Sequence, residues 1–275
     1  MATIRECLQA ASARLVERID ADLLLEHVLG RSRSWLLAHA DDAMKTDDQA
    51  AFATLVKRRS AGEPIAYILG RRGFWSLDLE VTAATLIPRV ETELLVELAL
   101  RRLPPDEGAR VADLGTGSGA VAMALAQERP YAHIIALDIS AGALAVARRN
   151  VQRLGLGNIA LVRGDWLEPL LPRRFDLIVA NPPYIAAGDP HLRRGDLRFE
   201  PLAALASGGD GLDAIRGIVT MAKDRLEAGG WLLFEHGADQ GGASRALLLE
   251  AGYSEVGTEQ DLEHRDRVSA GRVPG

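Results

Sequence analysis

From Arg110 onward the chain alternates short apolar runs with helix-periodic stretches, and this alternation limits its fold more than any other feature. Arg110 to Leu114, His133 to Asp138, Ile159 to Val162 and Phe175 to Ala180 are too short for helices and lack period-two polarity, as strands buried on both faces do. Helical spacing predicts helices over Ala120 to Glu128, Ala141 to Leu154 and Leu212 to Glu227. In the last of these, Ile215, Val219, Ala222 and Leu226 form the stripe and Gly229-Gly230 the stop. Three further strands are expected at Gly230 to Glu235, Tyr253 to Gly257 and Arg267 to Ala270, the last two antiparallel because their connection is too short for a crossover helix. The expected fold is α/β: a doubly wound, mostly parallel seven-stranded sheet.

The first part of the chain reads differently. Ile4, Cys7, Leu8, Ala11 and Leu15 share one helix face, an apolar stretch from Ile19 to Leu29 runs to a Gly30 stop, and a further helix runs from Asp47 to Ala61 before Gly62 and Pro64. We expect a small helical bundle over 1–63, with no glycine loop or acid cluster of its own. Tyr67 to Leu69 and Phe74 to Val81 alternate after glycines and predict a β-hairpin linker over 64–88. Leu94, Leu95, Leu98 and Leu100 then start an amphipathic helix, which opens a catalytic domain over 89–275.

Composition excludes several classes. Of 275 residues, 48% are hydrophobic and 25% charged, which suits a globular chain, and the net charge of −6 disfavours wrapping a nucleic acid or an anionic membrane. The single cysteine, Cys7, allows neither an intrachain disulfide nor a thiolate cluster and suits a reducing compartment. The six histidines form no metal-ligand motif, and neither a signal pattern nor a long apolar run is present. We expect a soluble cytoplasmic protein without a metal.

Two junctions carry chemistry. The first strand runs into Asp113-Leu114-Gly115-Thr116-Gly117-Ser118-Gly119, where glycines let a ligand approach main-chain N–H groups at a helix start. The spacing is G-x-G-x-G, not the G-x-G-x-x-G of a dinucleotide site, and no P-loop lysine follows. Asp138 closes the second strand, placed to accept ribose hydroxyls, and Asp165 closes the third, followed by Trp166. Singly, each has a plain structural reading: a tight turn, a helix cap, a core aromatic. In order at successive strand ends they describe an adenosine pocket and favour S-adenosylmethionine over a nucleoside triphosphate.

The fourth strand runs into Asn181-Pro182-Pro183-Tyr184. If it neighbours the first strand, this turn faces the glycine loop at the switch point of the sheet. An amide or aromatic amine nitrogen is a weak nucleophile that needs a fixed position and nearby acceptors. The Asn181 side-chain oxygen and the Pro182 carbonyl are two such acceptors, the prolines add no competing N–H, and Tyr184 is expected to pack against a flat substrate group. The competing reading is a Pro-Pro turn whose Asn caps the strand.

The two junctions together resemble methyltransferases that modify planar amino groups. Phe74-Trp75-Ser76-Leu77, Leu86 to Glu93, Asp189-Pro190-His191-Leu192, Arg198-Phe199-Glu200-Pro201 and Glu235-His236-Gly237 narrow the resemblance to the bacterial protein-(glutamine-N5) methyltransferases of peptide chain release factors. It covers nearly the whole chain. It implies a Rossmann-like methyltransferase fold, S-adenosylmethionine as cofactor and the glutamine of the Gly-Gly-Gln motif of class 1 release factors as substrate. It also implies cofactor contacts at Gly115 to Gly119, Asp138, Trp166 and Asn181, glutamine contacts at Asn181 to Tyr184, and a helical domain that helps hold the release factor. The Pro88 to Glu93 segment would cover the site, although Glu91 and Glu93 read equally as a helix start. Val90 replaces a proline common there, and no glycine precedes the final Arg267-Val268. The other readings are a different protein glutamine, a nucleic acid base, which the net charge opposes, and a non-catalytic binding module, which has no evident need for both motifs. Asp196, Arg198 and Glu200 have two readings, as charges lining the mouth of the site or as solvated charges, and the second is the expectation. The expected protein acts as a monomer, with no nucleic acid or membrane partner.

Overall fold

A computed structural model describes residues 1–170 and 174–275, which divide into two compact units, Met1–Gly70 and Arg71–Gly275. The first unit is helical: α1 (Ile4–Ser12), α2 (Arg18–Leu29), α3 (Arg33–Ala38), α4 (Thr46–Ser60) and α5 (Ile65–Leu69). Thr3 and Glu6 form a reciprocal capping box at the start of α1, and Gly30 ends α2 in the left-handed region at φ 62°. Leu24, Leu25, Leu36, Phe52 and Val56 fill a core of this unit's own. The buried Asp20 is held by Arg59 at 2.6 Å.

Tyr67 to Leu69, expected as strand, belong to α5. Three apolar residues are too few to reveal a period, and Gly70 at φ 71° is a helix stop.

The second unit opens with an antiparallel hairpin, β1 (Arg71–Phe74) and β2 (Leu77–Glu80), turning at Trp75-Ser76. The alternation from Phe74 to Val81 therefore spans a turn and is not one strand. Trp75 takes φ 55°, and its N–H donates to Glu93 Oε1 at 2.7 Å. Phe74, Leu77 and Leu79 pack into the core of this unit. A 3₁₀ turn over Val90–Thr92 leads into α6 (Glu93–Leu100).

The sheet and its helices follow as β3 (Arg110–Leu114), α7 (Ala120–Glu128), β4 (His133–Asp138), α8 (Ala141–Leu154), β5 (Ile159–Arg163), β6 (Phe175–Ala180), α9 (Asp213–Lys223), β7 (Leu226–Glu235), α10 (Gly241–Glu250), β8 (Ser254–Gln260) and β9 (Asp266–Arg272). The strand order is β5-β4-β3-β6-β7-β9-β8, with the first five parallel and β9 antiparallel to both β7 and β8. The expected doubly wound seven-stranded sheet is what the chain forms. Alternate residues of each central strand enter opposite cores: Val111, Val179 and Leu233 on one face, Ala112, Ile178 and Phe234 on the other. Residues Ala120 to Ala126 of α7 are all buried, which explains why that helix is apolar on every side.

The helix expected over Leu212 to Glu227 ends at Lys223. Leu226 instead opens β7 opposite Phe175, whose N–H donates to the Arg225 carbonyl at 2.8 Å. A ladder to a distant strand outcompetes continuation of the local helical stripe. Helices α3 and α10 lie outside the stretches whose spacing predicts helix.

Candidate active site

β3 and β6 are neighbours, Leu114 opposite Ala180, so the glycine loop and the Asn181 turn leave the sheet side by side. A cavity of about 240 Å³ opens there. Gly115, Thr116, Gly117, Ser118, Asp138, Asp165, Trp166, Asn181 and Pro183 line it. Gly119, Pro182 and Tyr184 do not: Gly119 starts α7 behind the loop, Pro182 is buried, and Tyr184 turns toward β7.

The loop is held from below. Gly115, Gly117 and Gly119 all have positive φ (71°, 58° and 88°). A Cβ on Gly119 would lie 2.2 Å from Met123 Cε, whereas one on Gly117 would meet nothing within 4 Å. Thr116 donates its N–H to the Leu137 carbonyl (2.8 Å) and its hydroxyl to Asp113 Oδ2 (2.6 Å), so its side chain serves the loop itself. Asp113 also accepts the Ala122 N–H at 3.2 Å. Burial pushes the Asp113 carboxyl up to about 6, against the opposing pull of those two bonds.

Asp138 Oδ2 accepts the Gly117 N–H (2.9 Å) and Oδ1 the Ser140 N–H (2.8 Å). Each oxygen keeps a further lone pair for a ligand hydroxyl in the cavity. Trp166 takes φ 42°, a strained value for a bulky residue, and this places its ring 3.4 Å from where a Cβ on Gly115 would lie. The indole both lines the cavity and packs on the core beneath it, so the two readings of Trp166 are compatible. Asp165 stands exposed at the cavity edge.

On the other wall, Asn181 donates its Nδ2 to Thr92 Oγ1 (3.1 Å), the Thr92 hydroxyl donates to Glu235 Oε2 (2.7 Å), and the Tyr184 hydroxyl donates to Glu235 Oε1 (3.1 Å). Glu235 is 1% exposed. Burial raises its carboxyl above the usual range, opposed by those bonds and by the charge of Arg267. Burial and the neighbouring Glu235 raise the Tyr184 phenol. The Tyr184 carbonyl accepts from Gln240 Nε2 at 3.0 Å.

The segments around the cavity mouth are fastened together. Glu200, expected as a solvated charge, is buried: Oε2 accepts the Ile87 N–H at 3.0 Å, and Oε1 pairs with Arg89. Glu93 caps the Trp75 turn and is not in the cavity lining. Thr92, Glu235 and Glu200 lie in segments that the sequence marked out, but each has a partner more than a hundred residues away. The available signal for Glu235 is an acid ending an apolar strand, as Asp138 does and Asp113 nearly does.

Comparison with known proteins agrees with this architecture. Residues 2–70 match the family described as PrmC N-terminal domain, and residues 91–196 the methyltransferase small domain. The release factor glutamine methyltransferase of Xylella fastidiosa strain 9a5c is 56% identical over 268 residues, 98% of each chain. That of Escherichia coli K12 is 46% identical over 269 residues, 98% of this chain and 97% of its own. Among solved structures, a methyltransferase from Pyrococcus furiosus superposes with a TM-score of 0.56 at 18% identity, covering 81% of this chain and all of that one, a likeness of fold. With its glycine loop, strand-end acids and Asn-Pro-Pro-Tyr turn around one cavity, and with full-length identity at this level, the chain belongs to the release factor glutamine methyltransferase family.

Proposed function

We propose that this chain transfers the methyl group of S-adenosylmethionine to the side-chain amide nitrogen of the glutamine in the Gly-Gly-Gln motif of class 1 peptide chain release factors. The observation that carries the reading is a single cavity lined on one side by the glycine loop and Asp138 and on the other by Asn181.

The residues present fit the donor. The left-handed glycines let its chain approach the loop, Asp138 has lone pairs for two ribose hydroxyls, Asp165 accepts from the adenine amino group, and Trp166 covers the base. S-adenosylmethionine supplies a methyl group on a positive sulfur, which leaves the protein the task of presenting the nucleophile.

Asn181 Oδ1, on the cavity wall, accepts one N–H bond of the glutamine carboxamide, and the second is assigned to the carbonyl of the adjoining Pro182, a buried residue outside the lining. Pro182 and Pro183 carry no N–H to compete for those acceptors. The nitrogen is thereby aimed at the methyl carbon; as the N–C bond forms the methyl–sulfur bond breaks, the two acceptors stabilise the positive charge that grows on nitrogen, and the methylated amide, now strongly acidic, gives one N–H proton to water. Pro183 shapes the cavity wall, and Tyr184 anchors the turn through Glu235.

In this reading 1–63 is a helical domain that helps hold the release factor, 64–88 the link and 89–275 the catalytic domain. The enzyme works as a monomer in the cytoplasm, without nucleic acid, membrane or metal. No described helix is long and apolar enough to cross a membrane.

The test is incubation with methyl-labelled cofactor and purified release factor, followed by mass spectrometry of tryptic peptides. A gain of one methyl on the Gly-Gly-Gln peptide is expected. Label on another protein, on nucleic acid or nowhere would reject the substrate.

A further inference from the structure

Three segments meet behind the Asn181 turn: the 3₁₀ turn with Thr92, the end of β6 with Asn181 and Tyr184, and the end of β7 with Glu235. Glu235 is buried and does not line the cavity, whereas Thr92 and Asn181 do. We propose that Glu235 is a positioning residue that, through Thr92, decides which end of the Asn181 carboxamide faces the substrate. The inference rests on the assignment of Asn181 as an acceptor for the substrate amide.

The logic is one of donors and acceptors. A carboxylate only accepts hydrogen bonds. At 2.7 Å from Glu235 Oε2, the single Thr92 hydroxyl hydrogen is committed to the acid. Thr92 Oγ1 can then only accept along its contact with Asn181. Asn181 must offer Nδ2 to it, as the 3.1 Å contact shows, and Oδ1 is turned away from Thr92. An amide rotated by half a turn would present N–H groups to the N–H groups of a carboxamide substrate, two donors without an acceptor between them. Glu235 Oε1 takes the Tyr184 hydroxyl in addition, so one buried acid fixes both ends of the turn.

Glu235→Gln tests the polarity at nearly constant shape. Its amide nitrogen can donate to Thr92, which frees the hydroxyl to turn toward Asn181 and lets the carboxamide rotate. Thr92→Val removes the link, and Thr92→Ser keeps it. Methyl transfer to release factor, cofactor affinity by calorimetry and exchange of the Asn181 side-chain amide protons by NMR are measured in each.

E235Q and T92V are expected to lower kcat about a hundredfold, the scale of one preorganised polar contact. The KM for release factor and the cofactor Kd should each stay within about threefold in E235Q, because Glu235 lies outside the cavity lining. T92S should recover kcat to within about threefold of wild type. The Asn181 amide protons should be protected in wild type and T92S and exposed in E235Q and T92V. Unchanged kcat in E235Q, or a serine variant as slow as the valine one, overturns the relay. If E235Q fails to fold, the valine and serine pair decides alone. Protected amide protons in a wild type that transfers no methyl to release factor would leave the relay standing and reject the proposed substrate instead.

Discussion

On the glycine-loop wall of the cavity, acids hold backbone: Asp113 takes the Ala122 N–H and Asp138 the N–H groups of Gly117 and Ser140, across at most 21 residues of chain. On the Asn181 wall, side chains hold side chains across 89 residues, from Thr92 to Asn181, and 143, from Thr92 to Glu235. The first wall depends on backbone shape, with glycines at its three left-handed positions. The second depends on the donor or acceptor character of each side chain. Affinity for a cofactor should reside in the first and turnover in the second.

The largest test of that division is Asn181→Ala. It should lower kcat about a thousandfold while leaving the cofactor Kd within a few-fold, as expected when an acceptor acts mainly in the transition state. Full activity, or equal loss of cofactor binding, would merge the two walls into one.

Asp113 provides a test confined to the loop wall. Its folded value of about 6 lies above the ordinary 3.8, so between those two the folded chain keeps a proton that the unfolded chain has lost. Stability therefore falls as pH rises through that window, by about 3 kcal/mol in all. Asp113→Asn removes this contribution. Urea unfolding from pH 4 to 7 should show the variant gaining on wild type up to about pH 6 and then running parallel. A constant difference across the range would mean that Asp113 is ionised throughout.

Gly211→Ala probes the support of the turn. Gly211 has φ 79°, and a Cβ there would lie 2.2 Å from the Tyr184 carbonyl oxygen, a backbone atom with little room to yield. A loss of about 2 kcal/mol in unfolding free energy is expected, with kcat reduced more than cofactor affinity. The smallest expected effect is that of Asp138→Ala: a cofactor Kd about tenfold weaker by calorimetry, with kcat at saturating cofactor changed little. An unchanged Kd would remove Asp138 from the ribose site.

Much of this was legible along the chain. Strands β3, β4 and β6 and helices α7 and α8 follow from apolar runs and helical stripes bounded by glycines, acids or the Asn181-Pro182 turn, because these signals are local. The glycine loop, Asp138 and the Asn181 turn were legible for the same reason: each is a short motif whose place at a strand end follows from its neighbours. The errors fall where local signals conflict with distant partners. Leu226 fits the α9 stripe but pairs with Phe175, and Tyr67 to Leu69, a run too short to show a period, close a helix at Gly70. Glu200 has the composition of a surface charge, and only its partners Ile87 and Arg89 make it a buried tie.

The amino-acid order fixes which short motifs stand at the strand ends around the cavity, since motif spacing and apolar period are properties of neighbours along the chain. The tertiary structure alone decided how they are oriented. The direction of the Asn181 carboxamide, the carboxyl of Asp113 and the burial of Glu235 depend on atoms brought together by sheet order, and hydrogen bonds act over ångströms of space whatever the separation in sequence.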